Sequence, residues 1–454
     1  MSALDAKVVA ARAAGALSRA TGRGGTSLPG KLLMRLEPHA IGRLAGRLPN
    51  GNAVISATNG KTTAAAMTAG ILERTGAHLV HNRAGANMAG GVAATLLQAA
   101  GRNGTIAGDT GLFEVDEFWL GQVAAELEPR AMLLGNLFRD QLDRYGELDT
   151  IADRWAQVAA TTGARLVLCA DDPTIADLGR DRADVLYYGI EDDGVARTEM
   201  QHAADAKHCR RCGAPYVYEA IYFGHLGRYH CPTGDAPRPA PQVSARDIVL
   251  EGVRGARFAL HTPVGVCEIA LPLPGLYNVY NALGAAALAL ALGASLDDVA
   301  AGLAAVSPAF GRAETVRMGD TDLSILLVKN PAGANEVLRT LTLEPGEHDV
   351  LAVLNDNIAD GRDVSWVWDA DFEVLAPSVR RATCAGTRAA EMALRLKYAG
   401  VPPERITVLP ELDAALDAAL AGGGARVFAL PTYTAMLALR DLLVTRGAVQ
   451  GSFA

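Results

Sequence analysis

Lys61 lies in the run Ser56-Ala57-Thr58-Asn59-Gly60-Lys61-Thr62-Thr63, directly after the apolar Ala53-Val54-Ile55 and ahead of the helix-forming Ala64-Ala65-Ala66-Met67. A strand that turns through small residues into a helix leaves backbone N–H groups pointing at an anion, while a lysine adds a point charge and a threonine a hydroxyl for Mg²⁺. The chemistry indicated is nucleoside triphosphate binding, with Thr58, Asn59, Gly60, Lys61, Thr62 and Thr63 around the phosphates. The bland alternative is an ordinary glycine-containing turn between strand and helix. The spacing is tighter than the commonest phosphate loop, because Ile55 stands where that pattern has its first glycine. Downstream, Gly111-Leu112-Phe113-Glu114-Val115-Asp116-Glu117 puts Glu114 at a strand end. A carboxylate there either offers Mg²⁺ a hard oxygen or only caps a helix. Residues 136–146 follow the apolar Met132-Leu133-Leu134 and are dense in polar groups, which suggests a site rather than a core.

A second constellation is Cys209-Arg210-Arg211-Cys212-Gly213, followed by His225, His230 and Cys231. Six cysteines in 454 residues are too few for a disulfide scaffold, and in the cytosol a close cysteine pair more often means metal. Structural Zn²⁺ wants four ligands, so either His230 or His225 joins Cys209, Cys212 and Cys231, or the module folds without metal. Cys169, Cys267 and Cys384 are isolated and read as small buried apolar residues. Ala382-Thr383-Cys384-Ala385-Gly386 superficially resembles a nucleophile-bearing turn, yet a thiol nucleophile needs a basic partner. The last histidine is His348, so a class I glutaminase order, with the histidine after the cysteine, does not fit.

The elements that must position these residues follow from length and pattern. The chain is long enough for two or three domains and is 50% apolar, so large cores are possible. Strand-like and helix-like segments alternate after residue 50, which indicates a parallel, doubly wound sheet. Strands are expected at 53–56, 166–169 and 185–188, and a helix at 281–292. Residues 200–243 break the rhythm and read as an inserted module with a proline-rich exit; the α/β pattern resumes near Ile248. A boundary near 308–317 separates a further α/β domain with strands at 350–354, 381–384 and 427–430. No segment reaches the roughly 20 apolar residues needed to cross a bilayer, and no signal peptide is apparent, so a cytoplasmic location is expected. Net charge is −8 overall, yet residues 1–50 carry eight basic residues against Asp5 and Glu37, a net +6. Such a segment could rest on an anionic membrane or attract a phosphorylated substrate, or be a solvated helix face. The acidic balance counts against nucleic acid as a partner.

In this order, Thr58-Asn59-Gly60-Lys61-Thr62-Thr63, the Glu114 strand, the segment 136–146, Gly275-Leu276-Tyr277-Asn278-Val279-Tyr280-Asn281-Ala282 and Gly311-Arg312-Ala313-Glu314 resemble the Mur ligases. These enzymes activate a carboxylate as an acyl phosphate with ATP and let an amine attack it. Further runs resemble the MurT-type subunits of lipid II isoglutaminyl synthase: Gly24-Gly25-Thr26-Ser27-Leu28-Pro29-Gly30, His81-Asn82-Arg83-Ala84-Gly85-Ala86-Asn87-Met88, Lys329-Asn330-Pro331-Ala332-Gly333 and Asp360-Gly361-Arg362-Asp363-Val364-Ser365-Trp366. The resemblance implies a basic N-terminal segment (1–50) packing on a central ATPase domain (51–313) with a zinc-ribbon-like insertion (200–243). A Rossmann-like C-terminal domain (314–454) would follow. It implies that Lys61 holds the ATP phosphates, Thr62 and Glu114 ligate Mg²⁺, Asn278 and Asn281 face the nucleotide, and Arg312 contacts phosphate. It also implies Zn²⁺ on the cysteine module and a GatD-type class I glutaminase partner in a heterodimer. Asp363 would complete that partner's catalytic triad, although by itself the run 360–366 reads as an Asp/Gly turn capping a helix. The expected reaction is ATP-dependent amidation of the D-glutamate α-carboxylate of lipid II at the inner membrane surface. Competing readings are a stand-alone amino acid ligase of the Mur or folylpolyglutamate kind and an ATP-switched zinc-ribbon binding protein. Two departures from the family pattern stand out: Ala57 replaces a glycine, which requires a negative φ there, and Gln141 stands where many Mur ligases place a histidine serving a second Mg²⁺. No residue is assigned as a carbamoylated lysine.

Overall fold

The computed structural model describes residues 3–20, 27–83, 86–101, 105–140, 148–197, 199–201, 204–234, 236–307 and 312–449. Its first sheet is built from β1 (Asn52–Ser56), β2 (Leu79–His81), β3 (Thr110–Glu114), β4 (Ala131–Leu134), β5 (Arg165–Cys169) and β6 (Val185–Ile190). A separate hairpin, β7 (Val217–Phe223) and β8 (Leu226–His230), precedes β9 (Val243–Leu250), β10 (Ala256–Thr262) and β11 (Gly265–Leu271). The sheet order is β11-β10-β9-β6-β5-β4-β1-β3-β2. Strands β1 to β6 and β9 pair in parallel, and β10 and β11 add an antiparallel edge. Strand β1 is buried along its whole length because it lies between β3 and β4, which is why it reads as a continuous apolar run.

The sheet resumes at Val243 rather than near Ile248, since β9 pairs with β6 from its first residue. The long apolar helix also begins earlier than the 281–292 expected. It spans Leu276–Ala291, entered through Gly275 at φ 83, so Asn278 and Asn281 sit in its first turns. Helices Ala3–Ala20, Leu28–Leu36 and Ala40–Ala45 contribute Leu4, Val8, Leu33 and Ile41 to the core of this sheet. Gly30 lets helix Leu28–Leu36 cross helix Ala89–Ala99 at backbone distance, because a Cβ there would lie 1.9 Å from the Gly90 carbonyl oxygen. Several of the N-terminal cations are engaged within the fold. Lys7 and Arg43 pair with Glu37, Arg47 pairs with Asp5, and Arg12 donates to the carbonyls of Leu97 and Gln98 at the end of helix Ala89–Ala99.

The second sheet contains β12 (Arg312–Met318), β13 (Thr321–Leu326), β14 (His348–Val353), β15 (Val379–Ala385), β16 (Ile406–Val408) and β17 (Arg426–Pro431), in the order β12-β13-β17-β14-β15-β16. All pairs but β12 with β13 are parallel. Helices Pro331–Thr342 and Ala389–Tyr398 pack into one apolar core, and Leu412–Leu420 and Tyr433–Thr445 into another built on the same strands. Among the described residues no helix is long and apolar enough to cross a membrane.

Candidate active site

The chain leaves the end of β1 through Ala57 to Gly60 and enters helix Lys61–Arg74. Because β1 feeds between β3 and β4, this turn opens at the crevice where a doubly wound sheet binds ligands. Gly60 caps the helix at φ 86, and a Cβ there would lie 1.9 Å from Asn281 Oδ1. Glycine is thus required twice over, by backbone conformation and by the approach of Asn281. Ala57 is not among the residues with positive φ, so the turn accepts its side chain. Asn136 fixes the loop from the end of β4. Its Oδ1 accepts from the Asn59 amide at 2.9 Å, its Nδ2 donates to the Asn59 carbonyl at 3.0 Å, and its own carbonyl accepts from the Thr58 amide at 2.9 Å.

Lys61 is buried, and its Nζ lies 2.9 Å from Glu117 Oε2 while also donating to the carbonyls of Ala57 and Thr58. Burial opposes the lysine's charge, but Glu117, Glu114 and Asp116 outweigh it and raise the pKa. Burial likewise opposes charge on Glu117, and Lys61 and Lys329 hold its carboxyl below the usual range. Thr62 Oγ1 donates to Glu114 Oε1 at 3.1 Å, at the end of β3. Asn82 clamps the Glu114 backbone, accepting from its N–H at 2.9 Å and donating to its carbonyl at 2.8 Å, and Asn87 donates to Oε1 at 3.3 Å. Glu114 is buried, and the donors to its Oε1 are the neutral groups of Thr62 and Asn87, so a buried carboxyl oxygen sits beside a hydroxyl. Two hard oxygens at a phosphate loop suit Mg²⁺, which takes few protein ligands and completes its shell with phosphate and water.

Asn281 donates to Asn278 Oδ1 at 3.0 Å, and Asn278 is tied to the Pro274 carbonyl at 2.8 Å, so the pair is held rigid against the loop. Thr63, Asn59, Gly60 and Asn281 share a cleft with Tyr277 and Lys329. The second sheet contributes Lys329 and Asn330, just after β13. Lys329 pairs with Asp140 and donates to the Thr58 carbonyl at 3.3 Å, and Asn330 donates to Asn59 Oδ1 at 2.9 Å. On the other side of the loop a cleft is lined by Thr62, Glu114, His81, Arg83, Glu73 and Gly302. His81 Nδ1 is buried there without a hydrogen-bond partner, and burial, aided by Arg83, brings its pKa down to about 4. The side chain of Arg312, residues 24–26 and 84–85, Gly311, and Gln141 with the rest of 141–147 lie outside the described residues.

Asp363 is exposed, and hydrogen bonds from the Ser365 hydroxyl and then from its amide, at 2.8 Å, lower its pKa; this is the turn geometry that the Asp-Gly pattern implies. Asp360 is buried and anchors the same turn by accepting from the Thr434 amide at 2.7 Å. Asp363 also lines a cleft with Arg139, Asp140, Lys329 and Trp366, which runs toward the phosphate loop through Lys329. Cys384 is buried within β15, and burial pushes its thiol up to about 12.

Between β6 and β9 the thiols of Cys209, Cys212 and Cys231 converge within 4.8 Å of one another. Three sulfurs facing one point suit Zn²⁺. The Cys231 thiol is brought down to about 7, chiefly by a hydrogen bond from Thr233. His230 does not join them: it precedes Cys231 at the end of β8, faces the other way and lies 3.3 Å from Glu219. His225 is also elsewhere, fully buried 3.3 Å from Asp172 and against the Phe138 ring. Both corrections reflect strand alternation and a buried aromatic contact that composition does not reveal. The residues that sequence reasoning passed over, Glu117, Asn136, Asn82, Lys329 and Asn330, all lie within the polar runs quoted above; their polarity beside apolar strand sequence was the available signal.

Residues 55–230 match the Mur ligase middle domain and residues 327–436 the MurT ligase C-terminal domain. The chain is 32% identical over 436 residues to the lipid II isoglutaminyl synthase (glutamine-hydrolyzing) subunit MurT of Streptococcus pneumoniae, covering 94% of each. It is 32% identical over 398 residues to the protein of the same name from Staphylococcus aureus, covering 87% of each. Its fold is similar to a pseudomurein peptide ligase type C from Methanothermus fervidus, with a TM-score of 0.66 at 23% identity over 88% of this chain and 79% of that one. With the phosphate loop, the Thr62–Glu114 pair and the second sheet closing on that loop, this similarity along nearly the whole length shows that the chain belongs to the MurT family of Mur ligases.

Proposed function

We propose that the protein is the ligase subunit of a glutamine-dependent amidotransferase that converts the D-glutamate α-carboxylate of lipid II to the amide. The observation that carries this reading is the convergence of Lys61, Thr62 and Glu114 on one loop at the C-terminal ends of β1 and β3. The substrate and nitrogen source follow from the names of the relatives that align end to end with it. ATP supplies the phosphoryl group; Thr62 and Glu114 would hold Mg²⁺, which would supply neutralisation of charge on the phosphate oxygens. Lys61, released from Glu117, binds the phosphates. Asn281 faces the nucleotide from the cleft shared with Tyr277, Asn278 holds Asn281 in place from behind, and the family resemblance assigns Arg312 to phosphate. The acceptor carboxylate approaches through the opposite cleft, past His81 and Arg83. Its oxygen attacks the terminal phosphorus to give an acyl phosphate and ADP. Ammonia then attacks the acyl carbon, phosphate leaves, and a proton is lost to give the amide.

Ammonia comes from a glutaminase partner of the GatD type, whose histidine is oriented by Asp363. Exposure of Asp363 and its place beside the Lys329 cleft support that role. Residues 1–50, 51–313 and 314–454 act as an N-terminal segment, an ATPase domain and a Rossmann-like domain, with a zinc ribbon inserted at 200–243. The reaction takes place at the cytoplasmic face of the membrane.

The test is Asp363→Asn in the purified pair, assayed with both nitrogen sources. An amide cannot stabilise an imidazolium, so glutamine-dependent amidation should fall by roughly 10⁴-fold while amidation with concentrated free ammonia persists. If both activities fall together, Asp363 belongs to the ligase centre or the fold; if neither falls, the shared triad is wrong.

A further inference from the structure

Thr233 lies against two of the three converging thiols. The two turns of the cysteine module are built alike: Cys212 precedes Gly213 at φ 74, and Thr233 precedes Gly234 at φ 81. Each glycine amide folds back onto the carbonyl of the first cysteine of its turn, Gly213 to Cys209 at 2.8 Å and Gly234 to Cys231 at 2.9 Å. The second turn is one residue shorter, and the side chain before its glycine is a hydroxyl instead of a thiol. That hydroxyl points inward. Thr233 Oγ1 lies 3.1 Å from Cys212 Sγ and 3.0 Å from Cys231 Sγ, and those two sulfurs are 3.3 Å apart. Tetrahedral Zn²⁺ with bonds of about 2.3 Å to sulfur and 2.0 Å to oxygen has edges of about 3.8 Å between sulfurs and 3.5 Å between sulfur and oxygen. Each of these edges therefore needs to open by only about half an ångström to admit the ion.

Building on the zinc-ribbon reading, we propose that Thr233 closes this site, so that Zn²⁺ is held by Cys209, Cys212, Cys231 and the Thr233 hydroxyl. Three thiolates around Zn²⁺ leave a site of net charge −1, and a neutral hydroxyl is a weaker ligand than a fourth thiolate. The ion is consequently more exchangeable than in a four-cysteine ribbon.

The experiment measures zinc content and zinc affinity, by competition with a chromophoric chelator, on the full chain and on Thr233→Val, Thr233→Ser and Thr233→Cys. Loss of the hydroxyl in Thr233→Val should weaken affinity by at least the roughly 10- to 100-fold that loss of an outer-shell partner costs, because a direct ligand is removed. Thr233→Ser should keep the wild-type affinity, and Thr233→Cys should bind more tightly than wild type. Zinc in the wild type with equal affinity in Thr233→Val overturns the Thr233 assignment alone. A wild-type chain purified without chelators that neither contains nor binds zinc overturns the zinc reading itself.

Discussion

Replacing Lys61 by alanine should damage stability as well as catalysis, and the two effects can be separated. The Lys61 side chain is 10% exposed and that of Glu117 8%, so the mutation leaves a desolvated carboxylate whose nearest cation is gone. Breaking a buried pair from one side costs about 3–5 kcal/mol. Lys329, which also attracts Glu117, and protonation of the orphaned carboxyl place the expected loss near the lower end, about 3 kcal/mol at neutral pH. The pH dependence carries the signature. In the wild type Glu117 is held below its ordinary value, so its contribution is present above the unfolded pKa of about 4.3 and is lost as pH falls through the folded value. Lys61 is raised, so its contribution is present below about 10.4 and is lost as pH rises through the folded value. The pair is therefore flat between about pH 5 and 10. In Lys61→Ala burial outweighs the remaining attraction of Lys329 and raises the Glu117 pKa, and the defect should shrink as pH is lowered from about 8 toward 5. Lys61→Ala/Glu117→Gln should recover most of the stability and none of the ATP-dependent activity. Urea unfolding of the three proteins at the two pH values is the assay. A defect of equal size at both, or no recovery in the double variant, would refute the buried-pair explanation.

Gly60→Ala should weaken nucleotide binding by roughly tenfold or more in calorimetric titration, because the left-handed backbone costs about 1–2 kcal/mol and the new Cβ displaces Asn281; unchanged affinity would show that the loop relaxes freely. Asp172 is fully buried and accepts from the amides of Thr174 at 2.9 Å, Ile175 at 3.2 Å and Leu137 at 3.1 Å, so Asp172→Ala should cost about 3 kcal/mol by urea unfolding and loosen the segment carrying Asn136. A loss below about 1 kcal/mol would mean that these amides find other partners.

How much of the site was legible varies with how local its geometry is. The phosphate loop announces itself because strand, turn and helix are adjacent in sequence, and Gly60 and Lys61 act within a few residues of one another. Glu114 was legible as a strand-end carboxylate, but its partnership with Thr62 spans the pairing of β1 with β3. The helix bearing Asn278 starts ahead of the Ala/Leu run that marks it in the sequence, because Tyr277, Asn278 and Asn281 interrupt that run while the structure buries both asparagines by bonding one to the other. His230 was an attractive ligand by proximity to Cys231, and adjacency is what disqualifies it, since neighbouring strand residues face opposite sides.

The sequence by itself determined the local chemistry: a small-residue turn that turns a strand into an anion-binding helix terminus, cysteines in turn spacing, and the apolar runs that must be buried. Only the tertiary structure decided which charges meet. Lys61 finds Glu117 56 positions on, and Lys329 reaches the Thr58 carbonyl across 271. The physical reason is that backbone preference and hydrophobic periodicity act over a few residues. The order β4-β1-β3 and the closing of the second sheet on the loop are set by burial of whole faces, and these bring together side chains whose separation along the chain carries no trace of their contact.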